Sequence, residues 1–180
     1  KYLGTPGLIS FSGGFPSPLT FPVEDLKQIM VEVMDNEAAT ALQYGATEGD
    51  VLLRTLLANR YKSQGVDVSV ENLIITTASQ QALDLIGKMF IDRGDYVMVG
   101  LPSYLGGLSA FNSYGAQMIG IPMDAEGEDP AILEAELKKL QAMGKKPKFI
   151  YLIPDFQNPA GVTMTERRRM EIIALAHKYD

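Results

Sequence analysis

The sequence predicts an α/β fold: a mostly parallel sheet with helices on both faces, preceded by an extended N-terminal arm. Three observations lead there. From residue 73 onward, short and nearly all-apolar runs alternate with amphipathic helical stretches, the pattern of strands buried on both faces. Residues 4–22 are rich in Gly, Pro and Ser, which favours an arm or loop over an isolated folded unit. The chain has 180 residues, 46% hydrophobic and 21% charged, enough to bury a sizeable core and to exclude disorder as the main state. An arm over 1–21 and a larger domain over 22–180 are expected.

The elements follow in order. Leu26, Ile29, Met30, Val33 and Met34 recur at helical spacing and predict a helix over 22–35, with Pro22 or Val23 near the favoured first-turn position. A second helix is expected over 48–64, with Thr47 as cap, Leu52, Leu53, Leu56 and Leu57 as its buried stripe, and Gly65 closing it. The β-branched run 73–77 reads as a first strand, and Ser79 as the cap of a helix carrying Leu83, Ile86 and Phe90 and ending near Gly94. Strands follow over 96–99, 116–121 and 149–153. Between them lie a weaker helix reaching Tyr114 and a helix over 130–143 with Leu133, Leu137 and Leu140 on one face. Thr163 and Glu166 have capping-box spacing and open a last helix through Met170, Ile173 and Ala174. The sequence starts at Lys1, without Met, and stops just after that helix, where the alternation calls for another strand. It is therefore expected to be part of a longer enzyme chain.

Composition removes several function classes. With 16 basic against 22 acidic residues and a net charge of -6, no phosphate-neutralising surface is expected and no nucleic-acid partner. The basic run Arg167, Arg168 and Arg169 reads as a solvated helix face or an intersubunit contact. There is no cysteine, hence no disulfide, thiolate metal site or cysteine nucleophile. That suits a reducing cytosol, and a cytoplasmic location is expected. No apolar run has the length of a membrane span, and the first residues carry no signal-peptide pattern. His177, the single histidine, sits at a helix end where a cation suits the dipole, so no catalytic or metal role is assigned to it. The acidic residues Asp124, Glu126, Glu128 and Asp129 lack the EF-hand pattern and read as an exposed turn, so no metal site is expected.

In an open α/β sheet, ligands bind outside the carboxyl ends of the strands. Three loops there are unusual. Ala78-Ser79-Gln80-Gln81 places a hydroxyl at a helix start, where unpaired N–H groups and the positive helix end form a seat for phosphate. Pro102-Ser103-Tyr104 stiffens a strand exit and presents Tyr104 as a flat face on which a heteroaromatic ring could stack. Asn158, in a loop stiffened by Pro154 and Pro159, offers a donor and an acceptor to a ligand oxygen. Each residue also fits a plainer role: Ser79 as a cap, Tyr104 as a core tyrosine, Asn158-Pro159 as turn chemistry. An anion seat, an aromatic face and an amide on one sheet edge together describe a site for a phosphorylated aromatic cofactor.

At that point an ordered set of motifs comes into view. It runs from Ser12-Gly13-Gly14-Phe15-Pro16, through Leu42-Gln43-Tyr44-Gly45 and Thr47-Glu48-Gly49, to Thr77-Ala78-Ser79-Gln80-Gln81, Pro102-Ser103-Tyr104 and Gln157-Asn158-Pro159-Ala160-Gly161. The set resembles fold-type I pyridoxal-phosphate aminotransferases, in the branch of the 2-aminoadipate and kynurenine aminotransferases. The resemblance implies that 22–180 is the first part of the large, cofactor-binding domain, with the remainder and a small C-terminal domain outside this sequence. It implies that Ser79 and Gln80, with the backbone after Ala78, hold the phosphate of pyridoxal 5'-phosphate. Tyr104 would stack on the pyridine ring and Asn158 would bond its phenolic oxygen. Gly13 and Gly14 would lie where backbone approaches the substrate, and Tyr44 would reach across a homodimer interface to the partner's cofactor phosphate. Amino acids and 2-oxo acids would be the substrates. The family pattern usually has Gly at position 78, so Ala78 is a departure. The Schiff-base lysine and the aspartate that protonates the ring nitrogen are expected beyond Asp180, so these residues alone are expected to be inactive. An aminotransferase-like sensor domain of a GntR-type transcription regulator, or a pyridoxal-phosphate lyase, would carry closely related motifs.

Overall fold

The computed structural model describes residues 6–8 and 15–179, which form two compact units, 15–77 and the residues from 78 onward. In the first unit a 3-10 turn, Pro18–Thr20, capped by the Ser17 hydroxyl, precedes α1 (Val23–Ala41); α2 (Val51–Ser63) and a second turn, Val70–Asn72, follow. The apolar stripe of α1 is largely exposed, with Leu26, Ile29, Met30 and Met34 all about half accessible or more. In α2 the start and the buried face both differ from expectation. Asp50, not Thr47, is the cap, its carboxylate accepting from Leu53 N at 2.8 Å. Arg54 and Ala58 are buried, while Leu52, Leu53 and Leu56 are exposed. Arg54 goes inside because its guanidinium donates to Gly49 O at 3.3 Å and Val70 O at 3.2 Å, tying the helix to the chain on either side.

Residues 73–77 are not a strand. Among the described residues of this unit there is no strand. Ile75 N donates to Glu48 O at 2.9 Å, and the Ile75 side chain packs so closely on Gly49 that a Cβ there would lie 2.6 Å away.

The second unit is the α/β layer predicted. It contains α3 (Ala78–Phe90), β1 (Tyr96–Leu101), α4 (Leu105–Ser113), β2 (Gln117–Asp124), β3 (Gly127–Glu128), α5 (Pro130–Ala142), β4 (Pro147–Tyr151) and α6 (Glu166–Tyr179). The sheet order is β3-β2-β1-β4, with β1 parallel to both β2 and β4 and only the short β3 antiparallel. Val97 and Met98 on β1 are fully buried, as a central parallel strand requires. Alternation along β1 feeds two cores. Val97 and Val99 meet Leu83, Ala110 and Phe111 under α3 and α4, whereas Met98 meets Leu133, Leu137, Leu140 and Ile172 under α5 and α6. Each such side chain contributes about 1.5–3 kcal/mol on burial. Asp129 caps α5 through bonds to Ala131 N and Ile132 N, with Pro130 at the first helical position. At α6 the capping hydroxyl is Thr165, which accepts from Arg168 N at 3.4 Å; Thr163 instead accepts from Phe156 N.

In the acidic segment and the arginine run, Asp124 and Arg167 are exposed as expected, but Glu128 and Arg168 are buried. Glu128 is 2% exposed and pairs with Met123 as part of the β2–β3 hairpin. Arg168, 7% exposed, explains why the hairpin can fold inward: it donates to Gly127 O, to Glu128 O at 2.7 Å and to Asp124 Oδ2 at 2.7 Å. Arg167 bridges Glu126 and Glu171. Arg169 grips Asp155 at 2.7 Å and the carbonyls of Pro154 and Met164. The Glu128 carboxyl packs against the bare backbone of Gly100, its Oε1 has no partner, and burial raises its pKa. Such a group favours the uncharged form.

Candidate functional site at the carboxyl edge of the sheet

All three unusual loops reach the same place. A cavity of about 570 Å³ opens at the carboxyl ends of β1 and β4, lined by Ser79, Leu83, Tyr104, Tyr151, Pro154 and Asn158 among others. Ser79 stands in the first turn of α3, which begins at Ala78, so it lies within the helix end and does not cap it from outside. Ala78 has φ of 56°, a left-handed conformation that side chains with a Cβ rarely adopt. Glycine would hold that turn without strain, which fits the usual glycine of the family pattern at this position and makes Ala78 the strained alternative.

Tyr104 is the residue before α4, with extended backbone, so its ring stands off the helix end. Two glycines make room for it and its neighbour. A Cβ on Gly106 would run into the Tyr104 ring and Gln80 Oε1, and a Cβ on Gly107 would lie 2.8 Å from the Tyr151 ring. The Gln80 side chain donates to Gly106 O at 3.1 Å, which ties α3 to the start of α4. Beyond β4, the loop turns through the left-handed Phe156 and carries Asn158 between Gln157 and Pro159. Within the described residues, the side chains of Ser79, Tyr104, Tyr151 and Asn158 make no hydrogen bond to protein. Their polar groups are free for a ligand.

Tyr151 was not singled out from the sequence, because a tyrosine inside an apolar strand reads as core. Its ring packs edge-on against Phe111 at 5.3 Å, yet it lines the cavity beside Tyr104. Burial first, and the nearby Tyr104 second, push its hydroxyl pKa up. Tyr151 therefore stays a neutral O–H donor through the neutral range. Among the described residues no lysine lines the cavity. Lys148 sits on β4 at the amino edge of the sheet, 3.2 Å from Asp95.

The other expected site residues fall elsewhere. Tyr44 is in the first unit and 99% exposed. Gly13 and Gly14 lie outside the described residues. Among the described residues there is no cluster of His, Asp and Glu able to hold a metal, and no helix is long and apolar enough to cross a membrane.

Residues 8–180 match the sequence model of aminotransferase class I and II. The chain belongs to this aminotransferase family. Over its whole length it is 46% identical to aromatic-amino-acid aminotransferase 1 of Thermococcus litoralis, covering 43% of that protein. It is 42% identical to the 2-aminoadipate transaminase of Thermus thermophilus over 89% of this chain and 38% of that one. A crystal structure of Pyrococcus horikoshii kynurenine aminotransferase superposes with a TM-score of 0.90 at 49% identity, over 98% of this chain and 44% of that chain. The chain thus spans about two-fifths of the length of the aminotransferases it matches. The fold-type I large-domain architecture expected from the motifs is the architecture of these relatives.

Proposed function

We propose that this chain is the cofactor-cradling part of a cytoplasmic pyridoxal-phosphate aminotransferase that moves an amino group between an amino acid and a 2-oxo acid. The observation that carries the reading is the convergence of Ser79, Tyr104 and Asn158, from three separate loops, on one cavity. The residues fit the group. The cavity lies within the usual range for small-molecule sites of about 300–1,000 Å³, its hydroxyls and amide are unspent, and the glycines at 106 and 107 leave space that a Cβ would fill.

When bound, the cofactor supplies an aldehyde to carry the amino group and a pyridine ring that draws electron density from the carbon losing its proton. The residues of this chain hold and orient it. Ser79, in the first turn of α3, would donate its hydroxyl to the phosphate dianion, which the positive end of the helix favours. Gln80 secures that turn to Gly106. Tyr104 covers one face of the ring, and the apolar Leu83 and Ile86 help exclude water. The Asn158 amide N–H would donate to the phenolic oxygen and stabilise negative charge there. Tyr151, held protonated, adds a second hydroxyl donor at the same wall. The amine that would bind the aldehyde and the carboxylate that would keep the ring nitrogen protonated are proposed to come from the rest of the protein. Tyr44 would serve the cofactor phosphate of a second subunit in a homodimer.

The test uses the intact protein. Pyridoxal phosphate is titrated by absorbance, an amino acid is added to convert the bound cofactor to its amine form, and a 2-oxo acid is added to reverse the change. Reversal by the 2-oxo acid is the expected result. Release of ammonia with no reversal identifies a lyase, and tight cofactor binding without turnover identifies a sensor domain; either overturns the reading.

A further inference from the structure

We infer that Gln157 is the positioning residue that sets the distance between Tyr104 and Asn158, and so the seat of the cofactor ring. The inference rests on the cofactor reading above. Gln157 is 3% exposed and does not line the cavity. Its Nε2 donates to Pro102 O at 2.8 Å, 55 residues away in sequence and two residues before Tyr104. Its Oε1 accepts from Ala160 N at 2.7 Å, two residues after Asn158. Its main-chain N–H donates to Val162 O at 2.8 Å, and Gly161 N donates to its carbonyl, closing the loop on itself. One side-chain amide therefore bridges the two loops that present the aromatic face and the ring-oxygen donor.

The chemistry demands an amide of this length. Pro102 offers only an acceptor and Ala160 only a donor, so the bridge needs a donor and an acceptor on one planar group. Glutamate keeps the acceptor but turns an oxygen toward the Pro102 carbonyl. Leucine keeps the volume but takes away the partner of both the Pro102 carbonyl and the Ala160 N–H. Asparagine is one methylene short, about 1.5 Å, and can serve one loop but not both. Since Gln157 does not line the cavity, its effect on the cofactor passes through Tyr104 and Asn158.

The experiment compares the intact protein with Gln157→Leu, Gln157→Glu and Gln157→Asn. It reads the dissociation constant of pyridoxal phosphate, the visible circular dichroism of the bound cofactor and the thermal midpoint of the apoprotein. Leu133→Val, in the core under α5, serves as a variant that loses stability away from the site. The expected result is a 10- to 100-fold weaker affinity and a diminished visible band in the Leu and Glu variants, with Asn intermediate, while Leu133→Val keeps both readouts. Gln157→Leu combined with Tyr104→Leu should lose less than the product of the two single effects, as coupled residues do. Wild-type affinity and dichroism in folded Gln157 variants, or fully multiplicative losses in the double variant, overturn this inference alone. A parent protein that binds no pyridoxal phosphate overturns the cofactor reading and this inference with it.

Discussion

Replacing Ala78 by glycine should stabilise the protein, which is unusual for a change that removes a methyl group at a helix end. Ala78 has φ of 56°, and a residue with a Cβ in that region carries about 1–2 kcal/mol of steric cost. Glycine removes the cost but regains backbone freedom in the unfolded chain, which returns about 0.4–1 kcal/mol. The net expectation for Ala78→Gly is a gain of about 0.5–1 kcal/mol. Ala78→Val goes the other way, because a β-branched side chain in a left-handed turn is the worse clash; a loss of about 1 kcal/mol or more is expected. Urea titration of the apoprotein at fixed pH measures both. Since glycine adopts the same turn, the N–H of Ser79 keeps its place and cofactor affinity should change by less than twofold. A Gly variant less stable than wild type, or a neutral Val variant, would refute the left-handed turn as a source of strain.

Gly106→Ala should weaken pyridoxal-phosphate binding by tenfold or more in a titration. Its methyl would lie 2.5 Å from Tyr104 Cζ, so the ring has to retreat by about 1 Å to reach ordinary contact. The Glu134 carboxyl, held by Lys178, Lys138 and Tyr179, is lowered from 4.5 to about 2. A depressed acid stabilises the fold above its unfolded pKa and loses that contribution as pH falls through the folded value. The difference in thermal midpoint between wild type and Glu134→Gln should therefore be full above pH 4.5 and vanish near pH 2.

Much of the second unit could be read from sequence because parallel strands announce themselves: β1, β2 and β4 are short apolar runs followed by turn residues, and their exits carry the chemistry. Ser79, Tyr104 and Asn158 were legible for that reason, each standing a few residues beyond a strand or at a helix start. The failures share a different cause. The run 73–77 has strand composition, but pairing depends on a neighbour that local sequence does not display. The leucines of α2 have helical spacing, yet burial depends on what lies opposite, and Arg54 found carbonyl partners where they found none. Glu128 and Arg168 looked solvated because each is charged; they are buried because they meet across 40 residues. Gln157 is equally silent in sequence, since its partner lies on another loop.

Three successive arginines stand in the first turn of α6, and their side chains reach two separate anchors. Arg167 and Arg168 hold the β2–β3 hairpin, while Arg169 holds Pro154 and Asp155, the root of the segment that carries Asn158. A single helical turn thus acts as a common hub for the sheet's antiparallel margin and for one wall of the ligand chamber. Any rotation of that turn would tug both together, so strain applied at the hairpin has a short mechanical route to the chamber wall.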